Sequence, residues 1–267
     1  MKAKELTSFF NLTDMPFSKE IATKNLKLLP SVEKALSSLL FLVETKGIGI
    51  LTGKSGTGKS CVLRLLTSRL NTGLYKPLYI CHTSVGILEF YTHICTVLGL
   101  EPGGKRATMF RAIKDHILSL NNVSRIHPIL LIDEADKLSN DILCEIRLLT
   151  NFAYDSLNAL TVLLCGQKNL TQKFGLSILE ALANSITVNV NLDTLPKEET
   201  FSYIEQRVQE VGNGQSLFTK NAMTLIHQAA GGTLRSINTI ANGALVQAFL
   251  SNSTQVEKEH VQMAIGR

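Results

Sequence analysis

Eight residues, Gly53-Lys54-Ser55-Gly56-Thr57-Gly58-Lys59-Ser60, satisfy the pattern G-x-x-x-x-G-K-[ST] at every fixed position. The chemistry open to such a stretch is grip on a phosphate. Glycines let consecutive backbone N–H groups turn inward around the phosphate oxygens. A helix opening at the end of the loop aims its partly positive N-terminus at the same anion. Lys59 is placed to neutralise the terminal phosphates and the Ser60 hydroxyl to ligate Mg²⁺, with Cys61 closing the phosphate-binding stretch. A strand ending in a carboxylate should supply the other half of the site. Residues 129–132 (ILLI) followed by Asp133 and Glu134 fit that description. Asp133 would hold Mg²⁺ through water, and Glu134 can polarise an attacking water as general base. An Asp-Glu pair also suits a helix start, where it complements the dipole. Its partnership with the upstream loop is what favours the metal role.

Strands and helices have to hold these groups, and the hydrophobic pattern predicts them. Gly47–Thr52 is a strand leading into the loop. Cys61–Leu70 is the helix leaving it, with apolar residues at 62, 63, 65, 66 and 70. A second strand at Leu78–Cys81 precedes helices near 85–98 and 106–120, with a Gly-rich break at 103–104. Pro128–Ile132 and Leu160–Cys165 are buried-type strands separated by a helix at 139–151. Ile186, Val188, Val190 and Leu192 alternate with polar residues as a strand should. Five strands separated by helices predict an α/β fold with a mainly parallel sheet covered on both faces. The extra strand between the loop and the acidic strand disfavours a small-molecule kinase of the adenylate kinase type.

Residues 1–30 hold two apolar clusters, Phe9–Phe10 and Met15–Phe17, and are expected to form an irregular arm. A helix is predicted over 31–45, with Ser31 as its cap after Pro30. Beyond Asp193 every segment is helical, at 197–211, 220–230, 234–250 and 257–266, with Gly212 and Gly231–Gly232 as stop signals. The expected organisation is an arm (1–30), a phosphate-loop α/β domain (31–193) and a small all-α C-terminal domain (194–267).

Composition narrows the function classes. A chain that is 45% hydrophobic and 18% charged is neither disordered nor fibrous. No apolar run approaches the ~18 residues that span a bilayer, and MKAKELTSFFNL lacks the apolar stretch of a secretion signal. Cysteines 61, 81, 95, 144 and 165 form no CxxC pair or Cys/His cluster, which argues for reduced thiols in a cytoplasmic protein and against zinc. A net charge of +5 and a pI near 8.9 lean toward a polyanionic partner.

Beyond these two motifs, LLCGQ at 163–167 and GGTLRSIN at 231–238 complete a pattern that resembles AAA+ ATPases. Within these the chain is most similar to the ExeA-like branch, which includes general secretion pathway A proteins and the ATPase helpers of DNA transposons (TniB, TnsC and phage Mu B types). FFNLTDMPFSKEI, EIRLLTN and LFTKNAMTLIHQAAGG share that likeness. The resemblance implies ATP with Mg²⁺ as ligands, a five-stranded parallel sheet of the ASCE P-loop kind in the order 5-1-4-3-2, a helical lid, and assembly into rings or helical filaments. It implies that Gln167 positions water near the γ-phosphate and that Arg235 reaches the same phosphate from the lid. It also implies that adenine lies near Pro16–Phe17 and the lid. Relatives usually carry an arginine finger before the fifth strand, where this chain has Asn184 and Ser185. Hydrolysis is therefore expected to be slow. Arg147 can replace the finger in trans or be an ordinary surface residue of its helix.

Any DNA contact should be to phosphates, because no sequence-reading motif is present. Lys105, Arg106, Arg111 and Lys114 form the candidate patch, equally readable as a solvated basic helix. Two functions are expected from this set. The first is an oligomeric, DNA-binding transposition helper that recruits or stimulates a transposase. The alternative is an ExeA-like secretion or envelope-assembly ATPase, or a slow or inactive nucleotide-binding scaffold. The lack of a membrane span and of a peptidoglycan-binding region within these residues favours the first.

Overall fold

The computed structural model describes residues 3–18, 29–212 and 216–266. In chain order its elements are α1 (Ala3–Phe9), α2 (Pro30–Thr45), β1 (Ile48–Gly53), α3 (Lys59–Arg69), β2 (Tyr75–Ile80), α4 (Ile87–Leu98) and α5 (Arg106–Asn122). These are followed by β3 (His127–Ile132), α6 (Asn140–Thr150), β4 (Thr161–Gly166), α7 (Asn169–Lys173), α8 (Glu180–Asn184) and β5 (Ile186–Leu192). The last four are α9 (Lys197–Val211), α10 (Lys220–Ala230), α11 (Leu234–Leu250) and α12 (Lys258–Ile265). Two compact units result. One comprises Lys34–Gly53 and Lys59–Leu192; the other comprises the described residues of Met1–Glu33, Lys54–Gly58 and Asp193–Arg267.

The first unit is built on a five-stranded sheet in the order β2-β3-β4-β1-β5, parallel at every pairing. This is the order the resemblance implies. All residues of β1, β3 and β4 are buried, because the three inner strands are covered on both faces. On one face, Phe90 and Ile94 of α4, Met109 and Ile113 of α5, and Ile142 and Ile146 of α6 join Ile50, Leu130 and Leu164 in one core. On the other face α2 presses on β1 so closely that a Cβ on Gly49 would lie 2.4 Å from Leu42 Cδ2. Edge strand β5 keeps the alternation its sequence predicts. Edge strand β2 begins at Tyr75, earlier than expected, and takes in Lys76 and Pro77. A proline lacks the ladder N–H, and an edge tolerates that.

In the second unit α9, α10 and α11 have the bounds that periodicity predicts. The arm differs from expectation, because Ala3–Phe9 is a helix rather than irregular chain. Seven residues are too few to hold a helix alone. Burial supplies the missing stability: Leu6 and Phe10 are buried, and Phe9 meets Phe249 of α11 edge to face at 5.3 Å. The rest of the arm is tied by Thr13 N–H to Val211 O (2.7 Å) and by Phe17 packing edge to face on Phe218. Among the described residues no helix is long and apolar enough to cross a membrane.

Candidate functional site

The phosphate-type loop occupies the gap between the end of β1 at Gly53 and the start of α3 at Lys59. Gly56 (φ 82°) and Gly58 (φ 99°) take the left-handed backbone that L-residues avoid. Thr57 closes the turn, donating both its N–H (3.4 Å) and its hydroxyl (2.9 Å) to Lys54 O. The Lys59 ammonium donates to Gly53 O, at the end of β1, at 2.9 Å.

Asp133 follows β3 directly and is 7% exposed. Its Oδ2 accepts from the Ser60 hydroxyl (3.0 Å) and the Tyr79 hydroxyl (3.1 Å), and its Oδ1 from the Glu134 N–H (2.9 Å). The structure thus brings Ser60 and Asp133 into direct contact although 73 positions separate them. A hydroxyl and a carboxylate are hard oxygen donors of the kind Mg²⁺ prefers. Burial first, and the Asp133 carboxylate second, hold the Tyr79 phenol and the Cys165 thiol well above their ordinary ranges. Both therefore remain protonated, and the Tyr79 hydroxyl is a neutral donor to the carboxylate.

Glu134 has φ 54°, a strained value for a non-glycine residue. Its carbonyl accepts from the buried Thr83 hydroxyl at 3.0 Å, and its carboxylate pairs with Lys137 one turn on. Both partners in that pair are about half exposed, so the pair is weak. Gln167 stands exposed just beyond β4, and its N–H donates to Asp136 Oδ1 at 3.0 Å. Gly166 leaves room for this link, since a Cβ there would lie 2.9 Å from Asp136 N. Asp136 therefore ties the acidic turn to the Gln167 turn. Sequence reasoning did not single out Tyr79, Thr83 or Asp136. The only available signal was that Tyr79 lies at the end of, and Thr83 just beyond, a strand that had to neighbour the acidic one.

In the other unit, Arg235 lies on the loop tip. Its guanidinium donates to Ser55 Oγ at 3.0 Å and its N–H to Gly56 O at 3.1 Å. A Cβ on Gly56 would come within 2.8 Å of Arg235 Cβ, and one on Gly58 within 2.7 Å of Leu234 Cδ1. Gly231 and Gly232, both left-handed, make the turn that starts α11 here. Phe17 is buried on Phe218, and its carbonyl accepts from Asn242 Nδ2 at 3.3 Å.

The remaining candidates are drawn into internal contacts. Arg147 grips Asp155 with both terminal nitrogens (3.1 and 2.5 Å), which holds that carboxyl below its usual range. Arg106 pairs with Glu145, which is itself buried and bonded to Tyr91 OH at 2.6 Å. Lys114 bonds Asn151 O and lies 4.2 Å from the Phe152 ring centroid, and burial lowers its pKa. Of the four basic residues proposed for DNA, Lys105, Arg106 and Arg111 are exposed, Arg106 with its guanidinium paired to Glu145, and Lys114 is half-buried. Asn184 and Ser185 sit at the end of α8, where the Ser185 hydroxyl donates back to Leu182 O (2.8 Å).

Residues 43–174 match the family model described as AAA domain. Over 262 residues, 97% of this chain, the sequence is 34% identical to General secretion pathway protein A of Aeromonas hydrophila. The chain spans about half of that relative's length (47%). Solved structures with the same architecture include Cdc6p of Pyrobaculum aerophilum (TM-score 0.74, 18% identity, 93% of this chain and 69% of that one). ORC1 of Aeropyrum pernix in complex with DNA also matches (0.71, 19%, 94% and 68%), as does the RuvB Holliday junction branch migration motor of Thermotoga maritima (0.59, 16%, 88% and 67%). The fold is that of AAA+ ATPases. In AAA+ terms, β1 and the loop carry the phosphate motif, β3 the acidic motif, and β4 the turn bearing Gln167. At these identities the solved structures establish architecture alone. The secretion-pathway relative, matched along nearly the whole chain, is the similarity that bears on function.

Proposed function

We propose that the chain is the ATPase part of a secretion or envelope-assembly machine of the General secretion pathway protein A kind. The observation that carries this reading is the 34% identity spread over 97% of the chain, which extends well beyond the phosphate motif. It reverses the order in which the two functions were expected. The lack of a membrane span within these residues does not weigh against this reading, because the chain spans 47% of that relative's length.

In this reading Gly53–Gly58, Lys59 and the start of α3, including Cys61, cradle the phosphates of ATP. The left-handed glycines support that assignment, since they turn the loop backbone inward. Ser60 and Asp133 would hold Mg²⁺, and their existing contact supports the pairing. Bound there, the cation would neutralise charge developing on the phosphates. Glu134 is the general base, after its carboxylate leaves Lys137. Gln167 orients water through an amide that both donates and accepts. Arg235, already on the loop tip, adds positive charge to the same phosphates. Copies assemble into a ring or filament, and Arg147 can act across it only by giving up Asp155.

A DNA-binding helper that works with a transposase is the second reading. Exposed Lys105 and Arg111 and the net charge of +5 favour it. One experiment tests both. ATP-dependent phosphate release, measured with and without duplex DNA at moderate salt, should be Glu134-dependent and unchanged by DNA. Stimulation by DNA that Lys105→Glu/Arg111→Glu abolishes would reinstate the helper. Release that is equal in wild type and Glu134→Gln would leave a scaffold without turnover.

A further inference from the structure

The acidic pair after β3 is held from the side by the end of β2. The ladder between the two strands runs from Tyr75↔His127 to Ile80↔Ile132 and continues as Asp133 N–H to Ile80 O at 2.8 Å. Two hydroxyls, one from this strand end and one from the segment just after it, then reach the pair: Tyr79 OH to Asp133 Oδ2, and Thr83 Oγ1 to Glu134 O. Tyr79 is 48% exposed. A half-exposed tyrosine can satisfy its hydroxyl with water, so burial does not force this contact.

A carboxylate offers roughly four lone-pair positions. On Asp133 three donors occupy them: Ser60, Tyr79 and the Glu134 N–H. Ser60 donates its hydrogen to Asp133 and keeps oxygen lone pairs for a cation, so its own position would be set partly by the metal it helps to hold. Tyr79 has no such second duty.

From this arrangement we infer that Tyr79 is a positioning residue that fixes the orientation in which Asp133 meets Mg²⁺. The inference rests on the nucleotide reading above. Outer partners of this kind typically change metal affinity by about 10–100-fold when removed.

The test is a Mg²⁺ titration of the protein bound to a fluorescent ATP analogue, reading nucleotide fluorescence rather than turnover. Wild type, Tyr79→Phe and Tyr79→Leu are compared, with thermal melting to confirm that each is folded. In EDTA all three should bind the analogue alike. The Mg²⁺ concentration at half-response should rise about 10-fold or more in both variants. An unchanged or lowered half-point in Tyr79→Phe overturns the inference. So does a shift seen only in Tyr79→Leu, which would assign the effect to ring packing. A wild type that binds the analogue with no response to Mg²⁺ sinks the metal role of Asp133 and this inference with it. A wild type that does not bind it at all sinks the nucleotide reading as well.

Discussion

The Arg235 guanidinium bonds Ser55 Oγ at 3.0 Å across 180 positions of sequence, and the two main chains meet as well, through Arg235 N–H and Gly56 O. The head of α11 is thereby fastened to the tip of the phosphate loop. Its side-chain bond lies near the surface, so it contributes little to stability and is available to a bound anion.

Arg235→Ala should therefore leave the thermal midpoint within a few degrees of wild type while weakening ATP-analogue binding about 10-fold. Equilibrium fluorescence titration checks this; unchanged affinity would confine Arg235 to a structural bond.

Lys59→Ala should abolish detectable nucleotide binding, because in the proposed reading its ammonium is the charge partner of the phosphates. Glu134→Gln should bind normally and lose at least about 100-fold in phosphate release, as expected when a general base is removed. Binding and single-turnover assays on the two variants separate grip from chemistry.

Gly232→Ala should destabilise the protein by about 2–3 kcal/mol. Its φ is 70°, and a Cβ there would sit 2.4 Å from Leu195 O, a backbone atom that cannot swing aside. Chemical denaturation of the variant gives the number directly.

His127 provides a pH prediction. It is 4% exposed, and burial, with a smaller push from Lys46, lowers its pKa to about 4. Asn121 Nδ2 donates to Ile117 O and Ala159 O, so its Oδ1 must accept from His127 Nδ1–H at 2.9 Å. His127 Nε2 then accepts from the Thr161 hydroxyl at 2.9 Å, which fixes a neutral ring. Between pH 6.5 and 4 the unfolded chain binds this proton and the folded chain does not. Stability from this group is thus constant above about 6.5 and falls as pH drops toward 4, by up to about 3 kcal/mol. His127→Gln should flatten that part of the stability–pH curve in urea titrations.

The glycine-rich loop, the acidic strand and the helices from Lys197 onward were legible because each is a local pattern: fixed spacing, a continuous apolar run, or 3.6-residue periodicity. The arm helix was not, because Ala3–Phe9 depends on Phe249 for its burial. The start of β2 was missed because Pro77 argues against a strand until its edge position is known. Charge was the least reliable guide. Arg106, Lys114 and Arg147 look alike in sequence to Lys105 and Arg111, yet Glu145, Asn151 and Asp155 claim the first three.

Amino-acid order alone determined the phosphate loop, the acidic pair and the alternation of strands and helices, since those depend on neighbours within a few residues. Tertiary structure decided which hydroxyls reach Asp133, which backbone meets Arg235 and which basic residues stay free. Apart from Arg147 and Asp155, eight positions apart, those outcomes depend on groups brought together across 37 to 180 positions, where no local periodicity carries information.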